Sequence, residues 1–272
     1  MFKKLFKSVV AICCLVLSAC ATGPVDEYRE AKGQDSRVKY IILHYTWESL
    51  MDSIKILTEQ EVSAHYLITD EEPARVIQLV DENRRAWHAG KSQWGTDTNL
   101  NAQSIGIEIV NLGPKQSGKK VPSDINQWQA YTSSQIERLI VLLKDIQQRH
   151  QIQGKNILAH SDIAPQRKLD PGPAFPWQWL AQEGLGRWYD EHQVASLTRK
   201  YKKEGLPSTL SLQKALKTLG YDIELTGDWT SKSQQVLRAF QMHYRPVKFD
   251  GRMDAQTAAI LMNLRAMEAS EN

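Results

Sequence analysis

Short apolar, β-branched segments alternate with helical segments along the first 190 residues, and this alternation restricts the fold more than any other feature. The pattern predicts strands at 38–45, 62–69, 75–80, 105–112 and 156–160. A long helix is predicted from Ser134, where S-Q-I-E has the form of a capping box with Glu137 as its acidic member. Strands interleaved with helices indicate a mixed α/β domain in which helices cover a central sheet.

The last quarter of the chain contains an internal repeat. The segment G-D-W-T-S-K-S at 227–233 returns 24 residues later as G-R-M-D-A-Q-T. In each copy a polar residue, Thr230 or Asp254, is placed to cap a following helix. The repeat predicts a small three-helix domain at 206–267, and the polar, basic residues 191–205 are expected to form the linker to it.

The N-terminus has the form of a lipoprotein signal peptide, predicted at 1–19. Three lysines precede an apolar segment at 9–17, which is too short to span a bilayer. The segment ends in L-S-A-C, which resembles the bacterial lipobox, so we expect a lipid anchor on Cys20 and a polar tether at 20–36. By analogy with lipoprotein sorting in diderm bacteria, Ala21 rather than Asp favours the outer membrane, facing the periplasm.

Charge and cysteine content exclude several classes of protein. Three of the 34 basic residues lie in the leader, which has no acidic residue, so the rest of the chain is close to balanced against 31 acidic residues. Such a balance gives no support for a nucleic-acid partner. The three cysteines are Cys13, Cys14 and Cys20. The domains after the anchor therefore have no disulfide, no cysteine nucleophile and no thiolate metal ligand.

Polar residues of the kind that bind a metal lie at or near the predicted strand ends. His44 ends the first strand, Glu108 lies in the strand I-G-I-E-I-V-N-L, and His160 and Asp170 share the loop A-H-S-D-I-A-P-Q-R-K-L-D-P-G. Together they supply two histidines, one carboxylate ligand and one spare carboxylate. Three nitrogen and oxygen ligands with an open fourth position favour zinc, although the pattern does not exclude another divalent ion.

Two further charged groups complete a candidate hydrolytic site. Glu108 stands between two isoleucines, so burial is expected to raise its pKa and suit it to act as a base toward water. Lys168 lies two residues before Asp170 and is expected to face the negative oxygen of a tetrahedral intermediate.

These motifs together resemble the zinc-dependent N-acetylmuramoyl-L-alanine amidases of the AmpD type. The segments I-I-L-H-Y-T, A-H-Y-L-I, A-W-H-A-G, I-G-I-E-I-V-N and the His160 loop match in order over about 38–180. The resemblance implies the fold of peptidoglycan recognition proteins, with a catalytic domain at 37–190. It also implies the site roles: one zinc ion on His44, His160 and Asp170, Glu108 as the catalytic carboxylate, and Lys168 as the transition-state stabiliser.

The resemblance implies cleavage of the amide between N-acetylmuramic acid, intact or 1,6-anhydro, and L-alanine of the peptidoglycan stem peptide. The C-terminal repeat resembles a three-helix peptidoglycan-binding domain, which would hold the enzyme on the wall. We expect a monomer whose partners are peptidoglycan and, through Cys20, the membrane. Two alternatives are a non-catalytic peptidoglycan recognition or anchoring lipoprotein and a zinc peptidase acting within the stem peptide.

Several other polar and aromatic residues have less specific interpretations. For His65 and His88, packing or substrate contact is favoured over metal ligation. Asp162 is expected to fix its loop by bonding its own backbone. Trp87 and Trp94 are equally consistent with packing and with contact to a sugar or peptide. No special role is expected for His150, His192 and His243.

Overall fold

The computed structural model describes residues 29, 31–34, 36–115 and 121–271. The predicted signal peptide at 1–19, the predicted anchor Cys20 and most of the tether at 20–36 lie outside the described residues. The secondary-structure elements all belong to the compact unit Ser36–Asn272. Among the described residues, no helix combines the length and the apolar character needed to cross a membrane.

A mixed five-stranded sheet forms the centre of the larger domain. The strands are β1 (Tyr40–Tyr45), β2 (Tyr66–Ile68), β3 (Val76–Gln78), β4 (Gln93–Trp94), β5 (Asp97–Thr98), β6 (Ser104–Ile109) and β7 (Ile157–Ala159). The main sheet has the order β3-β2-β6-β1-β7, while β4 and β5 pair separately. Its pairs are parallel except for β3, which lies antiparallel to β2 at one edge. The five predicted strands and the mixed α/β fold are confirmed.

Helices cover both faces of this sheet and form the C-terminal part of the chain. They are α1 (Leu50–Glu59), α2 (Ser133–His150), α3 (His160–Ile163), α4 (Trp177–Gln182), α5 (Glu191–Glu204), α6 (Thr209–Leu219), α7 (Ser231–Tyr244) and α8 (Ala255–Glu271). The apolar stripe of α2 packs on one face, while α1 and α3 lie on the opposite face. The predicted three-helix domain is present as α6, α7 and α8, with Thr230 capping α7 as expected.

The start of α2 differs from the prediction. Thr132, not Ser134, is the N-cap, and Thr132 and Gln135 form the reciprocal capping box. The Ser134 hydroxyl instead accepts a hydrogen bond from the Ala74 backbone N–H at 2.8 Å. The box therefore begins two residues earlier because the Ser134 side chain is used to attach α2 to the loop before β3.

The predicted linker at 191–205 is helical in the structure. These residues form α5, which is capped by Asp190 and packs along α8. Val194 is buried in the C-terminal core, while the basic residues that suggested a linker lie on the solvent side. Val194, Leu197 and Tyr201 form an apolar face at helical spacing, but the many polar and charged residues between them made the segment look like a linker.

Alternation along the two central strands decides which side chains reach the functional face. In β6, Ile105, Ile107 and Ile109 point into the core beneath α2. Successive strand residues point to opposite faces, so Ser104, Gly106 and Glu108 face the other side. The same alternation in β1 places His44 on that face, opposite α2.

Candidate metal centre and active-site cleft

The predicted site lies at the carboxyl ends of three neighbouring strands, β6, β1 and β7. His44 near the end of β1 is in register with Glu108 on β6, and β7 pairs with β1 on its other side. His160 follows β7 directly and begins the short helix α3. Because these strands are parallel, their carboxyl ends meet at the same edge, where binding residues commonly collect.

The structure brings together the three side chains predicted as metal ligands. His44 Nδ1 lies 2.9 Å from His160 Nδ1, and the Asp170 Oδ2 atom lies 3.0 Å and 2.9 Å from those two nitrogens. All three residues are buried. The backbone of Asp170 is fixed by the Ser161 N–H, which donates to its carbonyl oxygen at 2.9 Å.

A chain of hydrogen bonds decides which nitrogen of His44 carries its proton. The Ser104 hydroxyl donates to the Leu100 carbonyl at 2.6 Å, so it accepts from His88 Nε2–H at 3.2 Å. His88 Nδ1 is then an acceptor for His44 Nε2–H, 3.0 Å away. In a neutral imidazole one nitrogen donates and the other accepts. His44 therefore presents an unprotonated Nδ1 toward Asp170.

His160 is held in the same tautomer by a different partner. Its Nε2–H donates to the Ala89 carbonyl at 3.1 Å, which leaves Nδ1 as an acceptor. Two unprotonated nitrogens and a carboxylate oxygen thus converge within about 3 Å. Three electron pairs aimed at one point repel each other unless they share a cation, so this donor set fits a divalent metal with nitrogen and oxygen ligands.

The protonation states agree with this arrangement. Burial, followed by the nearby His160, lowers the pKa of His44 to about 4, so its ring is neutral at pH 7. Burial alone would raise the pKa of Asp170, but His160 and His44 hold it well below its usual range. Neutral imidazoles beside an ionised carboxylate are the forms in which these side chains bind metal.

Glu108 lies beside the ligands and has the features of a proton acceptor. Its Oε2 atom is shielded from solvent and has no hydrogen-bond partner among the described residues. Burial and the charge of Asp170 raise the pKa of the Glu108 carboxyl well above its usual value, whereas Lys168 lowers it. A shielded carboxyl with a raised pKa next to a metal-binding cluster is suited to proton transfer.

A cleft of about 290 Å³ opens above these residues. It is lined by the three predicted ligands together with Glu108, His88 and Lys168. Trp47 and Trp87 stand at its rim with about half of their surface exposed. Trp47 has a φ of 61°, which is an unusual conformation for a bulky residue, and residues in such strained conformations are enriched at functional sites.

The two histidines with unassigned roles are now distinguished. His65 is bound to backbone groups, accepting from the Gly106 N–H and donating to the Arg84 carbonyl, as expected for a packing residue. His88 does not join the ligand cluster but contacts His44 directly. No sequence signal marks Ser104, which orients His88, because a serine inside a strand has no distinctive pattern.

The structure also decides between the interpretations of four other residues. Asp162 does bond its own backbone, since the Ala159 N–H donates to its Oδ2 atom at 2.9 Å. Trp94 is a packing residue that lies against Tyr221, whereas Trp87 lines the cleft. The expectation for His243 is wrong, because this residue is buried and hydrogen-bonded to Asp162.

A mixed sheet covered by helices, with a His-His-Asp cluster that could hold a metal ion and a shielded carboxylate in one cleft, is an arrangement suited to hydrolysis. Residues 34–173 match the family model for N-acetylmuramoyl-L-alanine amidase, and residues 207–261 match a model for a peptidoglycan binding domain. The chain belongs to the N-acetylmuramoyl-L-alanine amidase family and is of the AmpD type.

Two relatives match nearly the whole chain. N-acetylmuramoyl-L-alanine amidase AmiD of Escherichia coli K12 is 41% identical over 87% of this chain and 85% of its own. The structure of AmiD with anhydro-N-acetylmuramic acid-L-Ala-D-γ-Glu-L-Lys covers 89% of this chain and 94% of its own at a TM-score of 0.78. AmpDh3 of Pseudomonas aeruginosa with an anhydromuramic pentapeptide is 40% identical, covering 91% and 98% at a TM-score of 0.82.

Proposed function

We propose that this chain hydrolyses the amide between N-acetylmuramic acid, intact or 1,6-anhydro, and L-alanine of the peptidoglycan stem peptide. The observation that carries the proposal is the convergence of His44, His160 and Asp170 within 3.0 Å, next to the unpartnered oxygen of Glu108. Family membership identifies the bond, and both AmiD and AmpDh3 have been crystallised with anhydromuramic peptides.

We propose Zn²⁺ as the metal, held by the two Nδ1 atoms and the Asp170 carboxylate. When bound, the ion supplies a Lewis acid that makes water more acidic and polarises a carbonyl group. Glu108 takes a proton from the attacking water and later delivers it to the nitrogen of L-alanine as the carbon–nitrogen bond breaks. Lys168 contributes a positive charge at the cleft, where the carbonyl oxygen becomes negative.

The role of Glu108 is tested by digestion of purified sacculi with Glu108→Gln. The isosteric amide cannot accept a proton, so release of free stem peptide should fall by about 10² to 10⁴ while the metal content stays at the wild-type level. Glu137→Gln, on the exposed side of α2, is the matched control and should behave as wild type. Turnover by Glu108→Gln within tenfold of wild type would refute the assignment of the base.

Mass spectrometry of the same digests separates the alternative functions. An amidase leaves glycan without peptide and releases whole stem peptides. Shortened stems still attached to sugar would show a peptidase acting within the stem. Binding to sacculi without any product would show a non-catalytic recognition or anchoring protein.

We also propose that the protein is attached by lipid on Cys20 to the outer membrane, facing the periplasm. The support is the basic, then apolar leader ending in L-S-A-C. Labelled palmitate should be incorporated into wild type and lost in Cys20→Ala. Ala21→Asp should keep the label but move the protein to the inner-membrane fraction, and an unchanged distribution would contradict the sorting argument.

We propose that the C-terminal module, residues 191–271, binds the enzyme to the peptidoglycan polymer. We also propose that the protein is a monomer. The match of residues 207–261 to a peptidoglycan binding domain supports this role. Retention on the polymer raises the local concentration of cleavable bonds. The full-length protein should therefore sediment with sacculi to a greater extent than a catalytic-domain fragment. Analytical ultracentrifugation of the full-length protein should give the mass of one chain.

A further inference from the structure

One buried carboxylate joins the C-terminal module to the loop that carries the predicted metal ligands. Asp162 is 1% exposed and lies in α3. Its Oδ1 atom accepts from the Tyr221 hydroxyl at 2.7 Å. Its Oδ2 atom accepts from His243 Nδ1–H at 2.7 Å and from the Ala159 N–H at 2.9 Å. Two of its three donors thus come from the C-terminal module, although Asp162 itself belongs to the catalytic domain.

The two donors from the module are fixed by close packing. The His243 ring lies between Trp177 of the catalytic domain, 3.8 Å away and nearly parallel, and Tyr244, 4.1 Å away. Tyr221 packs edge-on against Trp94 at 4.9 Å. Neither donor can turn away from Asp162 without disturbing an aromatic contact between the two domains.

The backbone next to Tyr221 also approaches the catalytic domain closely. A Cβ atom on Gly220 would lie 2.3 Å from the Trp94 ring. The Gly95 N–H donates to the Gly220 carbonyl at 2.7 Å. The module therefore contacts the catalytic domain at this point through backbone atoms as well as side chains. Two domains joined only by a flexible tether would not make such contacts.

The turn that Asp162 stabilises positions two of the predicted ligands. By binding the Ala159 N–H, Asp162 closes the first turn of α3, which begins with His160. The next residue, Ser161, donates its N–H to the Asp170 carbonyl. A displacement of Asp162 would therefore move the His160 side chain and the backbone of Asp170 together.

We propose that the C-terminal module positions the metal ligands: Tyr221 and His243 fix Asp162, and Asp162 fixes the turn that carries His160 and holds Asp170. Tyr221 and His243 are positioning residues, since they act through Asp162 and lie outside the cleft. The proposal rests on the proposed function only for the activity assay. Metal affinity tests the positions of the ligands whichever reaction the protein catalyses. A buried carboxylate that loses a donor is strongly destabilised, so the turn would shift to regain one.

The test uses the full-length protein with Tyr221→Phe, which removes one hydroxyl without changing the shape of the side chain. The dissociation constant for Zn²⁺, measured by competition with a chelator, should rise by about 10- to 100-fold. On a soluble anhydromuropeptide kcat should fall while KM stays within about twofold, because the cleft wall is unchanged. His243→Phe keeps the aromatic stack and removes the other donor, and it should have the same effect.

Tyr201→Phe is the matched control, because Tyr201 packs in the same module core but outside the cluster around Asp162. Thermal unfolding of each variant shows whether the protein is folded, and if His243→Phe does not fold, Tyr221→Phe decides alone. Metal affinity and soluble-substrate kcat equal to those of Tyr201→Phe would overturn the proposal. A wild-type protein that binds zinc but cleaves no muropeptide would instead overturn the proposed function, while the comparison of zinc affinities would still decide the positioning role.

Discussion

Replacement of Gly106 by alanine should weaken metal binding although Gly106 is not one of the predicted ligands. A Cβ atom at this position would lie 2.3 Å from His88 Cγ, 2.5 Å from Cδ2 and 2.6 Å from Nδ1. Carbon atoms in contact are normally about 3.5–4.0 Å apart, so the His88 ring would have to move by about 1 Å. The strand is held in place, because the Gly106 N–H donates to His65 Nδ1 at 3.0 Å and the Gly106 carbonyl accepts from the His65 N–H at 3.0 Å.

The size of the effect follows from the hydrogen bonds that the movement breaks. His88 would lose its 3.0 Å contact with His44 Nε2 and its 3.2 Å contact with Ser104. Leaving a buried donor without its partner costs about 1–3 kcal/mol. Removing such an outer partner typically weakens metal affinity by about 10- to 100-fold, and that is the expected change. Overpacking should also lower the free energy of unfolding by about 1–3 kcal/mol.

The assay is a chelator competition for Zn²⁺ on four proteins: wild type, Gly106→Ala, His88→Ala and the double variant. Because the clash is with the His88 ring, Gly106→Ala should have little further effect once that ring is removed. A folded Gly106→Ala protein with the wild-type zinc affinity would contradict this prediction. An equal loss in the presence and absence of the His88 ring would show that the effect reaches the metal by another route.

Three stability predictions concern other parts of the fold. Burial alone would raise the pKa of Glu82, but hydrogen bonds from Arg149, His150 and Tyr66 lower it to about 2, so this group stabilises the protein above about pH 4.5 and the gain is lost as the pH falls through about 2. Glu82→Gln should cost on the order of 2 kcal/mol at pH 7, allowing for solvent screening, and flatten the acid side of a melting-temperature profile. Thr132→Ala removes the α2 cap and should cost about 1 kcal/mol in urea unfolding. Gly220→Ala combines a φ of 116° with the contact to Trp94, so limited proteolysis should show faster cleavage of the C-terminal module.

The sequence was sufficient to predict the central sheet and the residues that the structure brings together in the cleft. Alternation of β-branched residues marked the strands, and His44, Glu108, His160 and Asp170 stood out as an ordered set of metal-binding residue types within motifs that resemble the AmpD-type amidases. The distances between them could not be predicted, since they depend on β1 lying between β6 and β7. That strand order comes from packing over long sequence separations, which local patterns do not encode.

The sequence could not predict the residues that act through another side chain. Ser104 and His88 acquire their role only because alternation in β6 and the course of the preceding loop place them behind His44. His243 lies in a helix with many polar residues, so its burial against the catalytic domain leaves no mark in the sequence pattern. Helix α5 was missed for a related reason, because its buried face is formed largely by contact with α8.

The two module residues that hold Asp162 lie 59 and 81 residues further along the chain. A ribosome delivers the catalytic domain first, so the carboxylate emerges well before either donor exists. Contacts between residues so far apart in sequence form late, because a long loop must close before they are made. On the positioning role proposed above, the metal-site turn is therefore completed only after the chain has been made as far as His243 and both long loops have closed.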